Sequence, residues 1–289
     1  MENNMRHECH SCHIKTIEKL IMKFKPDAET EEKLRLSIHK LLTDNSELGN
    51  PELATQIHRI AKKYLDNTNL YAEEKLQANE ILLNSYSDWE VLVNESDKPF
   101  FTAVKLAVIG NIIDYGSHSV STDIWQQIDS FLDKELTINM TEKLRCEIEK
   151  ADRILYLGDN CGEIVFDKLL IQTMNHPNIT FAVRGKPVIN DATLEDAHQV
   201  GIDKLCKIIS NGTDAPSTLL ELSSSEFVKE YENADLIISK GQGNFEGLMG
   251  KNHVNTFFML IAKCDPIANL LNVNKNDMVV TKLSSTLSL

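Results

Sequence analysis

The hydrophobic and polar positions divide the chain into two parts with different periodicities. Up to about residue 150, apolar positions recur at three- and four-residue spacing among charged residues, a pattern typical of amphipathic helices. From residue 151 onward, short β-rich runs alternate with helical stretches, which indicates a mostly parallel sheet with helices on both faces. We therefore predict an α/β fold in which an all-helical N-terminal domain, residues 1–150, precedes an α/β domain, residues 151–289.

Each part yields a defined set of predicted elements. The helices of the first part are Ile14–Phe24, Leu34–Leu42, Leu53–Leu65, Leu70–Leu83, Phe100–Ile113, Thr122–Leu132 and Thr141–Lys150. The strands of the second part are Ile154–Leu157, Ile179–Val183, Leu205–Ile209, Leu236–Ile238, Thr256–Ile261 and Met278–Thr281. The helices between them are Glu163–Met174, Ala192–Val200, Ser217–Tyr231 and Pro266–Leu271.

The turn after the first of these strands carries the first candidate chemistry. Asp159 and Asn160 follow the apolar run that ends at Leu157, and an amphipathic helix begins directly after them. In an open parallel sheet, ligands bind at the carboxyl ends of the strands. A hard cation held by these oxygens, together with an anionic ligand at the helix N-terminus, would suit the arrangement. The alternative is that one of the two residues only caps the helix.

Three more polar, glycine-bearing turns follow predicted strands. They are Arg184–Thr193, Ser210–Asp214 and Ser239–Glu246. If the strands are neighbours, these turns meet at one edge of the sheet and form one site. Asp191 could then complete an oxygen-ligand set with Asp159 and Asn160, a plausible shell for Mg²⁺ or Mn²⁺.

Two cations and a glycine in these turns suit a phosphoryl group. Arg184 and Lys240 supply charged donors, and the backbone at Gly241 can approach a ligand closely. The alternatives are that Asp191 caps a helix and that Lys240 is a solvated charge.

Composition limits the classes of function. The net charge of −13 over 289 residues argues against general nucleic-acid binding. No apolar run approaches the ~20 residues that span a bilayer, and the N-terminus lacks an apolar signal region. The six scattered cysteines predict reduced thiols and a cytoplasmic protein. Cys9 and Cys12 form a Cys-x-x-Cys pair, which we interpret as a thiol pair rather than a haem or zinc site.

Five stretches of the chain together carry a family resemblance. In chain order they are Cys9–Cys12, Gly110–Gly116, Gly158–Glu163, Arg184–Thr193 and Ser239–Glu246. The last three resemble the signature blocks of the damage-control phosphatase family, long known only as domain of unknown function eighty-nine. Gly110–Gly116 resembles the family's helical-domain block, and Cys9–Cys12 resembles the Cys-x-x-Cys of its stand-alone microbial members.

The resemblance implies a Rossmann-like α/β/α domain and metal-dependent hydrolysis of small phosphorylated metabolites, such as sugar phosphates or damaged phosphometabolites. It implies one divalent ion, Mn²⁺, Mg²⁺, Co²⁺ or Ni²⁺, with Asp159, Asn160 and Asp191 as ligands. The catalytic residues would be Asp159, Asp191 and Lys240. The substrate-binding residues would be Glu163, Arg184, Lys240, Gly241, Asn111 and Asp114, the last two closing the pocket from the helical domain.

Two other functions and two mechanisms stay open. The glycine turn at Gly158 loosely resembles that of nucleotide- or S-adenosylmethionine-dependent enzymes, although the full Gly-x-Gly-x-x-Gly is absent. A non-catalytic sensor of phosphometabolites or metal could use the same pocket. A phosphatase could use a metal-activated water, or Asp159 or Asp191 could attack directly through an aspartyl-phosphate.

Overall fold

The apolar runs after residue 151 form the strands of a seven-stranded sheet, and the amphipathic runs form helices that cover both its faces. This computed structural model describes residues 2–45, 47–110, 120–251 and 255–282. The predicted fold class, an α/β fold with a mostly parallel sheet and N-terminal helices, is confirmed.

Thirteen α-helices lie in the described ranges, and most begin or end within a few residues of the predicted bounds. Those before the central strands are α1 (Glu2–Phe24), α2 (Ala28–Asp44), α3 (Asn50–Tyr64), α4 (Ala72–Leu83), α5 (Tyr86–Asn94), α6 (Pro99–Ile109), α7 (Val120–Leu132) and α8 (Thr141–Lys150). Those that follow are α9 (Glu163–Met174), α10 (Leu194–Val200), α11 (Ser225–Asn233), α12 (Gly241–Leu248) and α13 (Asp265–Leu271).

The strands are β1 (Ile138–Asn139), β2 (Ile154–Leu157), β3 (Ile179–Val183), β4 (Lys207–Ser210), β5 (Leu236–Lys240), β6 (Thr256–Ile261) and β7 (Met278–Lys282). Their order across the sheet is β1-β7-β6-β5-β2-β3-β4. Strands β2 to β6 are parallel, and β7 pairs with β6 in the antiparallel direction. The two-residue β1 pairs with β7 and was not predicted, because two residues leave no periodic signal.

Alternate residues of each strand enter different cores, as strand geometry requires. Tyr156 and Phe181 face the side covered by α4 to α10, whereas Leu155 and Leu157 face the side covered by α11 to α13. Both faces are apolar, so the central strands read as continuous hydrophobic runs rather than alternating ones.

The N-terminal helices divide between two cores. Helices α1 to α3 enclose a small core of their own around Leu34 and Ile57, while α4 to α8 share the large core on one face of the sheet. Helices on both sides of residue 150 therefore pack together, and the division into two domains at that point stays a prediction. No helix in the described ranges is long and apolar enough to cross a membrane.

Candidate active site

The candidate site lies where the chain reverses its direction of travel across the sheet. Strands β2 and β5 are neighbours at the centre, and the chain proceeds from β2 through β3 to β4 on one side and from β5 to β6 on the other. Such a switch point leaves a crevice at the carboxyl ends of the strands. The turns that begin at Gly158 and at Lys240 meet there.

The turn after β2 is joined to the loop that follows β3. The backbone N–H of Ala192 donates to Asp159 O at 2.8 Å, and that of Cys161 donates to Asn190 O at 2.8 Å. These bonds set Asn160 opposite Asp191 in a short antiparallel bridge. Two segments some thirty residues apart in sequence thus present their polar side chains together.

A buried arginine holds the two carboxyl groups of these segments. Arg184 Nε donates to Asp191 Oδ1 at 2.6 Å, and its Nη2 donates to Asp159 Oδ1 at 3.2 Å. The remaining nitrogen, Nη1, donates to Asn244 Oδ1 at 2.9 Å. The planar guanidinium suits this task because its donors point in fixed directions. We call Arg184, Asp159, Asp191 and Asn244 the Arg184 cluster.

One cation does not fully compensate the two carboxyl groups. Burial, followed by the negative charges of Glu163 and Asp191, raises the pKa of Asp159 to about 7, although Arg184 lowers it. Burial also raises the pKa of Asp191, against the opposing charge and hydrogen bond of Arg184. Additional positive charge would therefore stabilise the ionised forms of Asp159 and Asp191.

A second ion cluster lies beside the first and is completely buried. Lys240 Nζ donates to Glu163 Oε1 at 2.6 Å, to Asp167 Oδ1 at 2.5 Å and to Ala107 O at 2.8 Å. The Tyr156 hydroxyl donates to the same Asp167 oxygen at 2.7 Å. We call Lys240, Glu163, Asp167 and Tyr156 the Lys240 cluster.

In the Lys240 cluster, burial and ion pairing act in opposite directions on the pKa values of Asp167 and Lys240. Burial raises the pKa of Asp167 to about 6 although Lys240 lowers it. Burial would lower the pKa of Lys240, but the charges of Asp167 and Glu163 outweigh this and raise it. Its ammonium has three oxygen acceptors and no exposed surface, so it can reach a ligand only by leaving them.

Asn160 connects the two clusters. Its Nδ2 donates to Asp159 Oδ2 at 2.8 Å and to Glu163 Oε2 at 3.1 Å. Among the described residues, no three His, Cys, Asp or Glu side chains converge as a metal-binding group. The predicted ligand set therefore depends on the amide oxygen of Asn160 in addition to the two aspartates.

Gly241 allows α12 to begin against the Arg184 cluster. A Cβ added there would overlap Asp159 Oδ2 and lie 2.5 Å from Asp159 Cγ. The residue also has φ +78°, a backbone conformation that is strained for any residue with a Cβ. Glycine is therefore required for the helix N-terminus to approach the carboxyl group.

The structure brings most of the predicted site residues together. The Arg184 cluster contains Asp159 and Asp191, which Asn160 joins to Glu163 and hence to Lys240. The predicted roles of these residues toward metal and substrate stay predictions, and both cations already bind carboxylates. Asn111 and Asp114 lie outside the described residues.

The turn after β4 supports the site without entering the ion clusters. Asn211 Oδ1 accepts hydrogen bonds from the backbone N–H groups of Gly185 and Thr213, each at 3.0 Å. Asp214 instead forms an ion pair with Arg59 of α3, at 2.6 Å from Nη2. This turn therefore holds the loop that begins at Arg184 and ties it to the N-terminal helices.

Sequence reasoning missed three residues of the clusters, Tyr156, Asp167 and Asn244, and the last two had a signal. Asp167 lies one helical turn after Glu163, so the spacing places both carboxyl groups on one face of α9. Asn244 lies in the stretch Ser239–Glu246, which we interpreted as a glycine-bearing turn, and the structure shows that it is helical from Gly241 onward. Its Nδ2 donates to Gly158 O at 3.1 Å and to Lys240 O at 2.8 Å, which joins the two central turns.

Fold and site together define a class of protein. It is an α/β protein in which a carboxylate-rich site, of the chemistry that hard divalent cations prefer, lies at the topological switch point. Residues 5–279 match the family profile described as the damage-control phosphatase ARMT1-like domain. The chain belongs to this family.

Individual relatives cover nearly all of the chain. It is 34% identical over 280 residues to a damage-control phosphatase of Pyrococcus horikoshii, and the match covers 95% of this chain and 96% of the relative. It is 38% identical over 251 residues to a damage-control phosphatase of Archaeoglobus fulgidus, with 83% and 85% covered. An uncharacterised protein of Methanocaldococcus jannaschii is 35% identical over 286 residues, with 95% and 94% covered.

A solved structure has the same architecture. The crystal structure of a DUF89 family protein of Pyrococcus horikoshii superposes with a TM-score of 0.86 at 32% identity. The superposition covers 95% of this chain and 97% of that one. The similarity therefore includes the N-terminal helices as well as the sheet.

Proposed function

We propose that this protein is a phosphatase that hydrolyses small phosphorylated metabolites and requires one divalent metal ion. Membership of the damage-control phosphatase family supports this proposal, as do the two relatives that carry that name. The observation that carries it is the charge of the site: the two ion clusters contain four carboxyl groups and only two cations. Buried carboxylates in such excess favour a bound cation.

The residues present fit a hard divalent ion. Asp159 and Asp191 are buried, and only one guanidinium lies between them. Burial and the charges of Glu163 and Asp191 raise the pKa of Asp159 to about 7, and a divalent ion beside it would favour the charged form of this carboxyl group. We propose that Asp159, Asn160 and Asp191 hold Mn²⁺, Mg²⁺, Co²⁺ or Ni²⁺, since oxygen ligands suit these ions.

Each group of the chain has a defined task in this proposal. A divalent ion held by Asp159, Asn160 and Asp191 would polarise phosphoryl oxygens and make a nearby water more acidic. Arg184 orients both aspartates, since one guanidinium bonds both carboxyl groups. The N-terminus of α12, close to Asp159 because of Gly241, adds a positive partial charge for an anionic phosphoryl group.

The Lys240 cluster has a supporting task. Lys240 fixes Glu163, and Glu163 in turn accepts a hydrogen bond from Asn160. A rigid amide at Asn160 would present its oxygen in one direction, which a metal ligand requires. With these hydrogen bonds in place, Lys240 acts on Asn160 through Glu163.

Phosphate release from a panel of phosphate esters tests the proposal. Protein freed of metal with EDTA should be inactive, and Mn²⁺, Mg²⁺, Co²⁺ or Ni²⁺ should restore release from at least one sugar phosphate. Asp159→Asn should remain inactive with every metal. Tight binding of a phosphate ester without any turnover would contradict a phosphatase and indicate a sensor. Full activity in EDTA would contradict the metal requirement.

A further inference from the structure

Helix α4 makes a buried polar contact with the turn that carries Asp159 and Asn160. The Asn79 side chain has no exposed surface, and its Oδ1 accepts a hydrogen bond from the Gly162 backbone N–H at 2.6 Å. Gly162 precedes α9 with φ +80°. Its N–H belongs to the end of a helix, where backbone donors need a partner from outside the helix.

The same asparagine reaches the helix that follows Asp191. Asn79 Nδ2 donates to Gln199 Oε1 of α10 at 2.8 Å. One side chain of α4 thus contacts both the residue that precedes α9 and a residue within α10. These two helices follow β2 and β3, the neighbouring strands whose ends carry the predicted metal ligands.

A buried ion pair one helical turn earlier strengthens this connection. Lys75 of α4 is only 3% exposed, and its Nζ lies 2.7 Å from Asp196 Oδ2. The same oxygen accepts from the backbone N–H of Thr193 at 2.7 Å and from its Oγ1 at 2.6 Å, which caps α10. The segment from Asp191 to the start of α10 is therefore fixed to α4.

We propose that Asn79 and Lys75 are positioning residues that set the spacing between the Asp159–Asn160 turn and the Asp191 segment, and hence the affinity for metal. This inference rests on the function proposed above. One helix of twelve residues holds both turns, so a change in either contact lets the two halves of the ligand set separate. Asn79 bonds the backbone of Gly162 and the side chain of Gln199, and Lys75 pairs with Asp196, so both act on the ligands through the turns. The charge of Lys75 also lowers the pKa of Asp191.

Calorimetric titration of Mn²⁺ into metal-free protein tests the inference without relying on turnover. Asn79→Leu keeps a side chain of similar size but removes both hydrogen bonds, and we expect its Kd to rise at least tenfold, as for partners that orient ligands. Lys75→Met should act in the same direction, and Lys75→Arg should recover much of the parent's affinity because it keeps a cation beside Asp196.

Leu82→Ala is the matched control for a loss of packing in α4. Leu82 is 1% exposed in the same helix, and its side chain cannot form hydrogen bonds. We expect this variant to have a lower melting temperature and the parent's Kd for Mn²⁺. Should Lys75→Met fail to fold, the comparison of Asn79→Leu with Leu82→Ala decides the question.

The outcomes separate this inference from the proposed function. If the parent binds no Mn²⁺, both are overturned. If the parent binds and Asn79→Leu has the same Kd, only the positioning role is overturned. Equal weakening in Asn79→Leu and Leu82→Ala, at similar losses of stability, would also overturn it, because α4 would then act only through overall stability.

Discussion

The Arg184 cluster and the Lys240 cluster lie side by side, and each places two carboxyl groups on one cation. They differ in what surrounds the ions. In the Lys240 cluster, the ammonium has three oxygen acceptors, and its side chain and those of Glu163 and Asp167 have no exposed surface. In the Arg184 cluster, Asp159 keeps a slightly exposed edge at the carboxyl end of the sheet, and its pKa is raised to about 7.

This difference suits the Lys240 cluster to its proposed supporting role and the Arg184 cluster to its proposed role in binding metal. Glu163, Asp167 and Lys240 form a closed set in which the cation meets carboxyl groups and a backbone oxygen. Burial raises carboxyl pKa values in both clusters, but only in the Arg184 cluster does a carboxyl group, that of Asp159, keep an exposed edge that a divalent ion could reach. Two clusters that each pair two carboxyl groups with one cation therefore predict different responses to substitution: loss of activity in the Arg184 cluster and loss of stability in the Lys240 cluster.

Asp191→Asn should have the largest effect on activity. It keeps the side chain's shape but removes a charged ligand, so we expect kcat/KM to fall by roughly 10³-fold or more, with metal lost. Phosphate release and metal analysis measure both. Asp167→Asn is the matched control, since it removes the same charge from the Lys240 cluster, and it should retain metal. Parent-like activity in Asp191→Asn would remove this residue from the site.

Lys240→Met should mainly reduce stability. It leaves Glu163 and Asp167 buried without their cation, and breaking a buried pair in this way costs about 3–5 kcal/mol. Chemical denaturation measures this, and the double variant Lys240→Met with Asp167→Asn should regain part of the loss. An unchanged stability together with a kcat/KM lowered by roughly 10²–10³-fold would instead indicate direct contact between Lys240 and the phosphoryl group.

Gly241→Ala should impair the site more than backbone strain alone explains. Its Cβ would overlap the Asp159 carboxyl group, so we expect a loss of roughly tenfold or more in metal affinity. Gly250→Ala is the control: Gly250 has φ +74°, but nothing lies within 4 Å of its added Cβ. Both variants share the strain of positive φ. If both bind metal equally well, the close approach of α12 is unimportant.

The pH dependence of the metal-free protein should be the smallest effect. The pKa of Asp159 is raised from 3.8 to about 7 in the folded state, so the folded protein binds more protons between these values. Stability should therefore fall as pH rises through this window, by an order of a few degrees in Tm between pH 5 and 8.

The groups around Asp159 set the sign of that effect. Glu163 and Asp191 raise its pKa, and Arg184 and Lys263 lower it. Thermal unfolding in EDTA at several pH values measures the trend, and Asp159→Asn should flatten it. A Tm that rises from pH 5 to 8 in the parent would contradict the assigned direction. Bound metal should reverse the trend, since deprotonated ligands bind metal more tightly.

Much of the fold could be predicted from periodicity. Strands β2, β3 and β6 match their predicted bounds, because buried central strands form continuous apolar runs between turns. The helix predicted over Ser217–Tyr231 was partly wrong: α11 begins only at Ser225, after a short 3₁₀ turn at Leu220–Leu222. Ser217 is buried and donates to Gly243 O at 2.7 Å, a tertiary contact that the pattern of apolar residues does not contain.

The glycines of α12 are the reason why this helix was not predicted from the sequence. Gly241, Gly243 and Gly247 have low helix propensity, so the stretch was expected to be a loop. In the structure, a Cβ at Gly243 would overlap Pro216 O, and one at Gly247 would overlap Ser217 Oγ. Close packing selects glycine here, and tertiary contacts overcome the low propensity. Such contacts cannot be inferred from local sequence.

The proximity of the candidate ligands could be predicted from the sequence, and the ion pairs could not. Asp159, Asn160 and Asp191 were placed together because strand ends meet at one sheet edge. That Arg184 and Lys240 bind carboxyl groups depends on side-chain directions, which spacing does not give. The contribution of Asn79 comes from a residue 83 positions away in sequence from Gly162 and left no local signal.

Titration of Mn²⁺ into three metal-free proteins, the parent, Asp159→Asn and Asp167→Asn, tests the difference between the clusters most directly. Each variant replaces one buried carboxyl group by an amide, one in the Arg184 cluster and one in the Lys240 cluster. The account predicts one bound ion in the parent, none in Asp159→Asn and one of similar affinity in Asp167→Asn. Equal binding by both variants, or loss of the ion only in Asp167→Asn, would contradict it.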